Sequence, residues 1–322
     1  MTTIGVLTSG GDSPGMNACV RAVVRRALAK GYQVKGIQRG FAGLLCEEIE
    51  QMTSESVSNV LQHGGTLLET ERCAEMKDEC YQQKAVDICR KHDISALIII
   101  GGDGSFQGAR RLAEKGLNVI GIPGTIDGDI ACTEYTIGFD TAVNTAMHAI
   151  DNIRDTGASH EKCSIIEVMG RNAGYIALWC GIANGAEEIL IPEKPEDKEK
   201  VVETIKANRQ KGKKSSIIVN AEGVGETTGL AQLIEEKTGV SVRTTVLSFI
   251  QRGGIPSCKD RVFASVMGAM AVDLIDQGKQ NRIVAYRKGE FVDYDIVEAL
   301  SMERKMDSLS SYLYEIYEDL SI

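Results

Sequence analysis

Short runs of isoleucine, valine and other apolar residues, alternating with longer stretches of helical period, most constrain what this chain can become. Runs at 4–7, 96–100, 119–122, 164–168 and 216–220 read as strands. Stretches at 16–30, 83–91, 141–154, 173–184 and 198–210 read as helices. On the third, Val143, Met147, Ile150 and Ile153 recur at helical spacing and form one apolar, core-facing stripe. Strand followed by helix, repeated, predicts an α/β fold of parallel strands joined by crossover helices. At 322 residues and 43% hydrophobic content, two such lobes are the natural expectation. The chain holds only five prolines and no low-complexity linker, so ordinary loops should join the lobes.

Charge and cysteine usage narrow the function classes. A formal charge of −9 argues against a nucleic-acid or anionic-membrane partner held by bulk electrostatics, so any anion site must be local. Nine cysteines lie scattered without CxxC or Cys/His spacing, as expected of small buried hydrophobes in a reduced compartment. No basic leader precedes a long apolar run, and no apolar stretch is long enough to cross a bilayer. A soluble, cytoplasmic protein is expected.

Three loops carry the chemistry. The first strand runs into Ser9-Gly10-Gly11-Asp12-Ser13-Pro14-Gly15 and then a helix. Consecutive glycines there let backbone N–H groups face a phosphate, or merely let a helix pack on a sheet, and the loop fits neither the Walker pattern nor the dinucleotide fingerprint. The second loop reads Gly101-Gly102-Asp103-Gly104-Ser105, where glycines admit a polyphosphate and Asp103 offers a hard oxygen suited to Mg²⁺, a purely structural Gly-Asp-Gly turn being the alternative. The third reads Pro123-Gly124-Thr125-Ile126-Asp127-Gly128-Asp129. Two carboxylates two residues apart suit phosphoryl transfer, one accepting the proton of an attacking hydroxyl and the other supporting the metal. Asp127 is the expected base; an Asx-turn that closes the loop is the structural alternative for Asp129. Ligands of open α/β sheets bind beyond the carboxyl ends of strands, so nucleotide and metal should share one crevice.

Taken together, residues 5–12, 100–105, 123–127, 168–171 and 250–254 resemble the bacterial ATP-dependent 6-phosphofructokinase family, over nearly the whole chain. The resemblance implies two Rossmann-like lobes with parallel central sheets. Residues 1–138 plus 251–301 would form a nucleotide-binding lobe, and 139–250 plus 302–322 a sugar-phosphate-binding lobe. It also implies a homotetramer in which each active site borrows residues from a neighbour. By matching position, Gly11, Arg72, Cys73, Gly102, Asp103, Gly104 and Ser105 would bind ATP, with Asp103 holding Mg²⁺. Thr125, Ile126, Asp127, Lys162, Met169, Gly170, Arg171, Glu222, Arg243 and Arg252 would bind the sugar phosphate, Arg243 from the adjacent subunit. Asp127 would be the proton acceptor, with Thr125, Asp129 and Arg171 in the catalytic set. Glycine at 104 and 124 resembles ATP-using members, because pyrophosphate-using relatives carry Asp and Lys there.

Departures from the family pattern are informative. Lys162 replaces the usual arginine and Phe249 the usual histidine of the sugar-phosphate pocket, and Gly128 replaces an asparagine, which would leave that loop freer. The resemblance also implies an effector site for ADP or phosphoenolpyruvate formed by Arg21, Arg25, Arg154, Gly185, Glu187, Lys211, Lys213 and Lys214. For Lys211, Lys213 and Lys214 a solvated turn is the bland alternative. Ser54 and Ser215 replace a usual arginine and histidine, so weak or altered regulation is expected. Two other readings stay open: a kinase of this fold for another phosphosugar, such as tagatose 6-phosphate or sedoheptulose 7-phosphate, and a non-catalytic sensor of nucleotide or phosphosugar.

Overall fold

The computed structural model describes residues 2–194 and 197–321. In chain order the first half holds β1 (Thr3–Ser9), α1 (Met16–Ala29), β2 (Gln33–Ile37), α2 (Gly40–Leu45), β3 (Ile49–Met52), α3 (Glu79–Lys91), β4 (Ile94–Gly101), α4 (Asp103–Glu114), β5 (Asn118–Pro123) and α5 (Phe139–His160). There follow β6 (Cys163–Val168), α6 (Tyr175–Ala183), β7 (Glu188–Leu190), α7 (Lys198–Gln210), β8 (Ser216–Ala221), α8 (Thr227–Thr238) and β9 (Val242–Val246). The chain closes with α9 (Cys258–Asp276), β10 (Arg282–Arg287), β11 (Glu290–Asp295), α10 (Ile296–Ser301) and α11 (Ser308–Leu320).

Two compact units result, Met1–Thr141 with Arg252–Arg304 and Ala142–Gln251 with Lys305–Ile322. The chain passes between them at 141/142, 251/252 and 304/305, against 138, 250 and 301 in the sequence reading.

The first unit holds a seven-stranded sheet in the order β11-β10-β5-β4-β1-β2-β3. Its five central strands are parallel, but β3 and β11 run antiparallel at the two edges. The apolar runs are continuous because the sheet is covered on both faces. Ile98 and Ile100 of β4 point into one core with Val20 and Val24 of α1 and Met267 of α9. Leu97 and Ile99 point into the other with Val86 of α3, Phe106 of α4 and Ile296 of α10. Helices α1 and α9 cross closely, since a Cβ on Gly268 would stand 2.7 Å from the Cys19 carbonyl oxygen. The edge hairpin β10–β11 turns through Lys288 and Gly289, both at positive φ, the backbone state a tight two-residue hairpin demands.

The second unit has four strands, all parallel, in the order β7-β8-β6-β9. Val201 and Ile205 of α7 and Leu230 and Ile234 of α8 pack with Ile165 and Ile218 to form its core on one face. Of the α5 stripe, Val143 and Ile150 are buried while Met147 and Ile153 are half-buried. All nine cysteines are free thiols; Cys19, Cys89, Cys132, Cys163 and Cys180 are buried, but Cys46, Cys80 and Cys258 are exposed, which corrects the expectation that all are core residues. No helix among the described residues is long and apolar enough to cross a membrane.

Candidate active site

Strand order reverses between β1 and β4 in the first sheet, with β2 and β3 on one side and β5 on the other. Beyond the carboxyl ends at such a reversal, loops part and leave room for a ligand. Pairing of Ser9 with Gly101, and of Gly101 with Pro123, brings the three strand ends level. The Gly124 N–H donates to the Gly101 carbonyl (3.0 Å), and a Cβ on Gly101 would stand 2.5 Å from the Ser9 carbonyl oxygen. Only glycine allows that approach.

Helices α1 and α4 begin directly after these loops, and neither N-terminus has a side-chain cap. No capping side chain therefore competes with an anion there, and the helix dipole adds to the attraction, although the Met16 N–H already donates to the Ser13 carbonyl and the Ser105 N–H to the Gly102 carbonyl. The second loop is shorter than its sequence suggested. Gly101 ends β4, Gly102 is the N-cap, and Asp103 is already the first residue of α4, with Ser105 buried behind it.

In the third loop the Asp127 N–H donates to Thr125 Oγ1 (3.2 Å), and Ile126 and Asp127 are buried. Gly128, at φ +60, is not left loose: its carbonyl accepts from Arg304 Nη2 at 2.8 Å. Asp103 and Asp129 line one cleft of about 180 Å³ with Phe106, Cys132, Met302 and Arg304. Among the described residues, no three His, Cys, Asp or Glu side chains gather into a metal cage. Mg²⁺ fits this donor set, because it keeps water and phosphate oxygens around one or two carboxylates.

A segment that the motifs missed delivers Arg72 and Cys73 to this edge. Asn17, in the first turn of α1, donates to the His63 and Gly64 carbonyls (3.1 and 3.3 Å) and accepts from the Leu67 N–H (2.7 Å). Thr8 Oγ1 donates to the Glu69 carbonyl (2.7 Å) and Thr70 Oγ1 to the Gly10 carbonyl (2.8 Å). The available signal was a buried asparagine inside an apolar helix start. Arg72 ends exposed; burial and neighbouring Glu75 push the Cys73 thiol above its ordinary value. Arg252 covers Gly11 closely enough that a Cβ there would stand 2.9 Å from Nη1.

In the second unit, Val168 of β6 pairs with Ala221 of β8, so the loops after them are neighbours. Glu222 Oε1 accepts from the Gly170 and Arg171 N–H groups (3.1 and 2.7 Å), and the Met169 N–H donates to Gln251 Oε1 (2.9 Å). Arg171 is held at φ 54, uncommon for a side-chain-bearing residue, and a Cβ on Gly223 would stand 2.3 Å from its carbonyl oxygen. Glu222 and Gln251 thus shape the turn that presents Arg171, an anchoring task the sequence did not reveal. Lys162 is half-buried ahead of β6, whereas Arg243 and Phe249 are exposed.

A family model described as phosphofructokinase matches residues 3–275. The chain belongs to the phosphofructokinase family. The chain is 52% identical over 321 residues to a protein of Clostridium botulinum (strain Loch Maree / Type A3) named ATP-dependent 6-phosphofructokinase, with both chains covered in full. It is 51% identical over 322 residues to one of that name from Bacillus cytotoxicus, again over the full length of each. Among solved structures, a phosphofructokinase from Saccharomyces cerevisiae superposes with a TM-score of 0.87 at 30% identity, over 99% of this chain and 47% of that one. A pyrophosphate-dependent phosphofructokinase from Marinobacter aquaeolei gives 0.84 at 25% identity, over 95% and 86%.

The effector candidates divide between the units. Arg21 and Arg25 lie on α1, the former half-buried and the latter exposed. In the second unit Arg154 donates to the Asn184 and Gly185 carbonyls, Lys213 pairs with buried Glu187, and Lys214 pairs with Glu161 at 2.9 Å. Lys211 caps the end of α7 and is exposed.

Proposed function

We propose that this chain moves the terminal phosphoryl group of ATP onto the 1-hydroxyl of fructose 6-phosphate, giving ADP and fructose 1,6-bisphosphate, the entry of a hexose phosphate into glycolysis. The observation that carries this reading is the level alignment of three glycine loops at the reversal of the first sheet, with Asp103, Asp127 and Asp129 on the same edge. A phosphate sensor needs the glycines but has no use for a base beside a metal site.

Gly11, Arg72, Cys73 and residues 102–105 take the nucleotide, and Asp103, with Asp129 in the same cleft, holds Mg²⁺. The bound metal neutralises phosphate charge during transfer. Asp127 accepts the proton of the sugar hydroxyl, and Thr125 keeps the loop's backbone in place. Ile126, Met169, Gly170, Arg171, Glu222 and Arg252 hold the sugar phosphate, Arg171 also meeting the charge that develops in transfer. Arg243 and Lys162 serve a neighbouring subunit of a cytoplasmic homotetramer. The cations at 154, 211, 213 and 214, with Arg21 and Arg25, take ADP or phosphoenolpyruvate; ion pairs to Glu161 and Glu187 must be exchanged for the ligand, which favours weak regulation.

Of the two glycines that point to ATP, Gly104 is the stronger. Nothing lies within 4 Å of a Cβ built there, whereas one on Gly124 would stand 2.9 Å from Ile100 and 3.1 Å from Met16. Gly124 has a packing reason to be glycine; Gly104 leaves space that the protein itself does not fill. Gly104→Asp is therefore expected to raise the KM for ATP by about tenfold or more through charge repulsion, the cost of roughly 1.4 kcal/mol or above, with an unchanged melting temperature. An unaltered KM would remove the nucleotide from this corner.

Lys162 lacks the planar fork of arginine, and Phe249 offers no hydrogen bond. Lys162→Arg with Phe249→His should lower the KM for fructose 6-phosphate; an unchanged or higher KM in the folded double variant would count against their place in the pocket. The same departures keep another phosphosugar in contention. ADP release with Mg-ATP across fructose 6-phosphate, tagatose 6-phosphate and sedoheptulose 7-phosphate tests the reading. The highest kcat/KM is expected with the first, and failure to turn over any of them would favour the sensor.

A further inference from the structure

We propose that Arg304 is a positioning residue for the aspartate loop, holding the peptide between Asp127 and Asp129 so that both carboxylates keep their places. The inference rests on the kinase reading. Arg304 stands 176 residues along the chain from Gly128, outside every motif that points to phosphoryl transfer, yet its Nη2 donates to the Gly128 carbonyl at 2.8 Å. Gly128 adopts φ +60, a left-handed state that turns this carbonyl away from the ordinary path and that a glycine gives up easily. A grip on the carbonyl fixes the residue that is otherwise the loop's most mobile link. Arg304 also lines the cleft shared by Asp103 and Asp129, so a positive charge shares that cleft with two carboxylates. Its planar guanidinium can hold the carbonyl and face the cleft in one geometry, which a lysine's single ammonium cannot reproduce.

Space remains at Gly128 for a different solution. A Cβ there would lie 3.4 Å from the Phe139 ring, an ordinary contact, and asparagine tolerates this backbone state while bonding its own loop. Loop order is thus supplied here from the far end of the unit.

The test uses the full-length enzyme with Arg304→Met, Arg304→Lys, and Arg304→Met combined with Gly128→Asn. Arg304→Met is expected to lower kcat about 10- to 100-fold, with both KM values within about twofold of wild type, because a misplaced base affects the chemical step. Arg304→Lys should be intermediate, and Gly128→Asn should restore part of the lost kcat. Amide hydrogen exchange across 125–130 should quicken in Arg304→Met and slow again in the double variant. That readout does not depend on turnover, while the wild-type rate, measured first, tests the kinase reading by itself. A kcat for Arg304→Met within about twofold of wild type, with unchanged exchange, would overturn the proposal. If that variant does not fold, a wild-type kcat in Arg304→Lys would overturn it instead.

Discussion

Asp127→Ser is expected to turn over fructose 6-phosphate about 10²- to 10⁴-fold more slowly than wild type, the usual range for loss of a general base, while both substrates still bind. Asp127 is 5% exposed, in a loop whose backbone is already held without its carboxylate: Thr125 Oγ1 takes the residue's own N–H, and Arg304 takes the next carbonyl. Serine fits the space and preserves those bonds, so the loss should fall on kcat and leave KM and melting temperature near wild type. Steady-state kinetics with a thermal melt reads both. Retention of near-normal turnover would remove Asp127 from the mechanism.

A second large effect is expected on stability. Asp260 is fully buried on α9 and accepts from Tyr135 Oη (2.6 Å), the Gly138 N–H (2.7 Å), the Thr141 N–H (2.8 Å) and Thr141 Oγ1 (2.5 Å). Burial pushes its carboxyl above the ordinary carboxylate range, and the four donors pull it partly back. Asp260→Ala removes the acceptor that those four donors share. Each stranded donor costs about 1–3 kcal/mol, and relaxation shares the burden, so a net loss of roughly 3–5 kcal/mol is expected. For a unit of this size that corresponds to a fall of about 10 °C in melting temperature. Asp260→Asn, which keeps one acceptor oxygen, should lie between. A melting temperature for Asp260→Ala within about 2 °C of wild type would show that the network contributes little. The same residue fixes the far end of the aspartate loop at Gly138, so some loss of kcat should accompany the loss of stability.

What the sequence disclosed, and what it hid, follows from burial. Central strands such as β4 were legible because Leu97, Ile98, Ile99 and Ile100 all face cores, alternately one and the other. Strand β2 and the edge strands β3 and β11 carry exposed or half-buried positions that interrupt the apolar run, and went unread. The glycine and aspartate loops stood out because their chemistry is local and contiguous. Groups that act from afar did not: Asn17 reaching 63–67, Asp260 reaching Gly138 and Arg304 reaching Gly128 are separated by 46 residues or more. Each is an ordinary polar residue until the fold supplies its partner. Gly128 shows the consequence. Its replacement of an asparagine implied a freer loop, whereas the chain supplies a guanidinium to hold it.

Nucleotide and metal are expected at the reversal of the first sheet, with Asp127 beside the acceptor hydroxyl. A crystal structure with Mg²⁺, a non-hydrolysable ATP analogue and fructose 6-phosphate measures this directly. The metal should lie on Asp103, the phosphates over the N-termini of α1 and α4, and the sugar 1-hydroxyl about 2.6–3.2 Å from the Asp127 carboxylate. A nucleotide bound elsewhere, or a sugar whose 1-hydroxyl lies beyond any contact with Asp127, would contradict it.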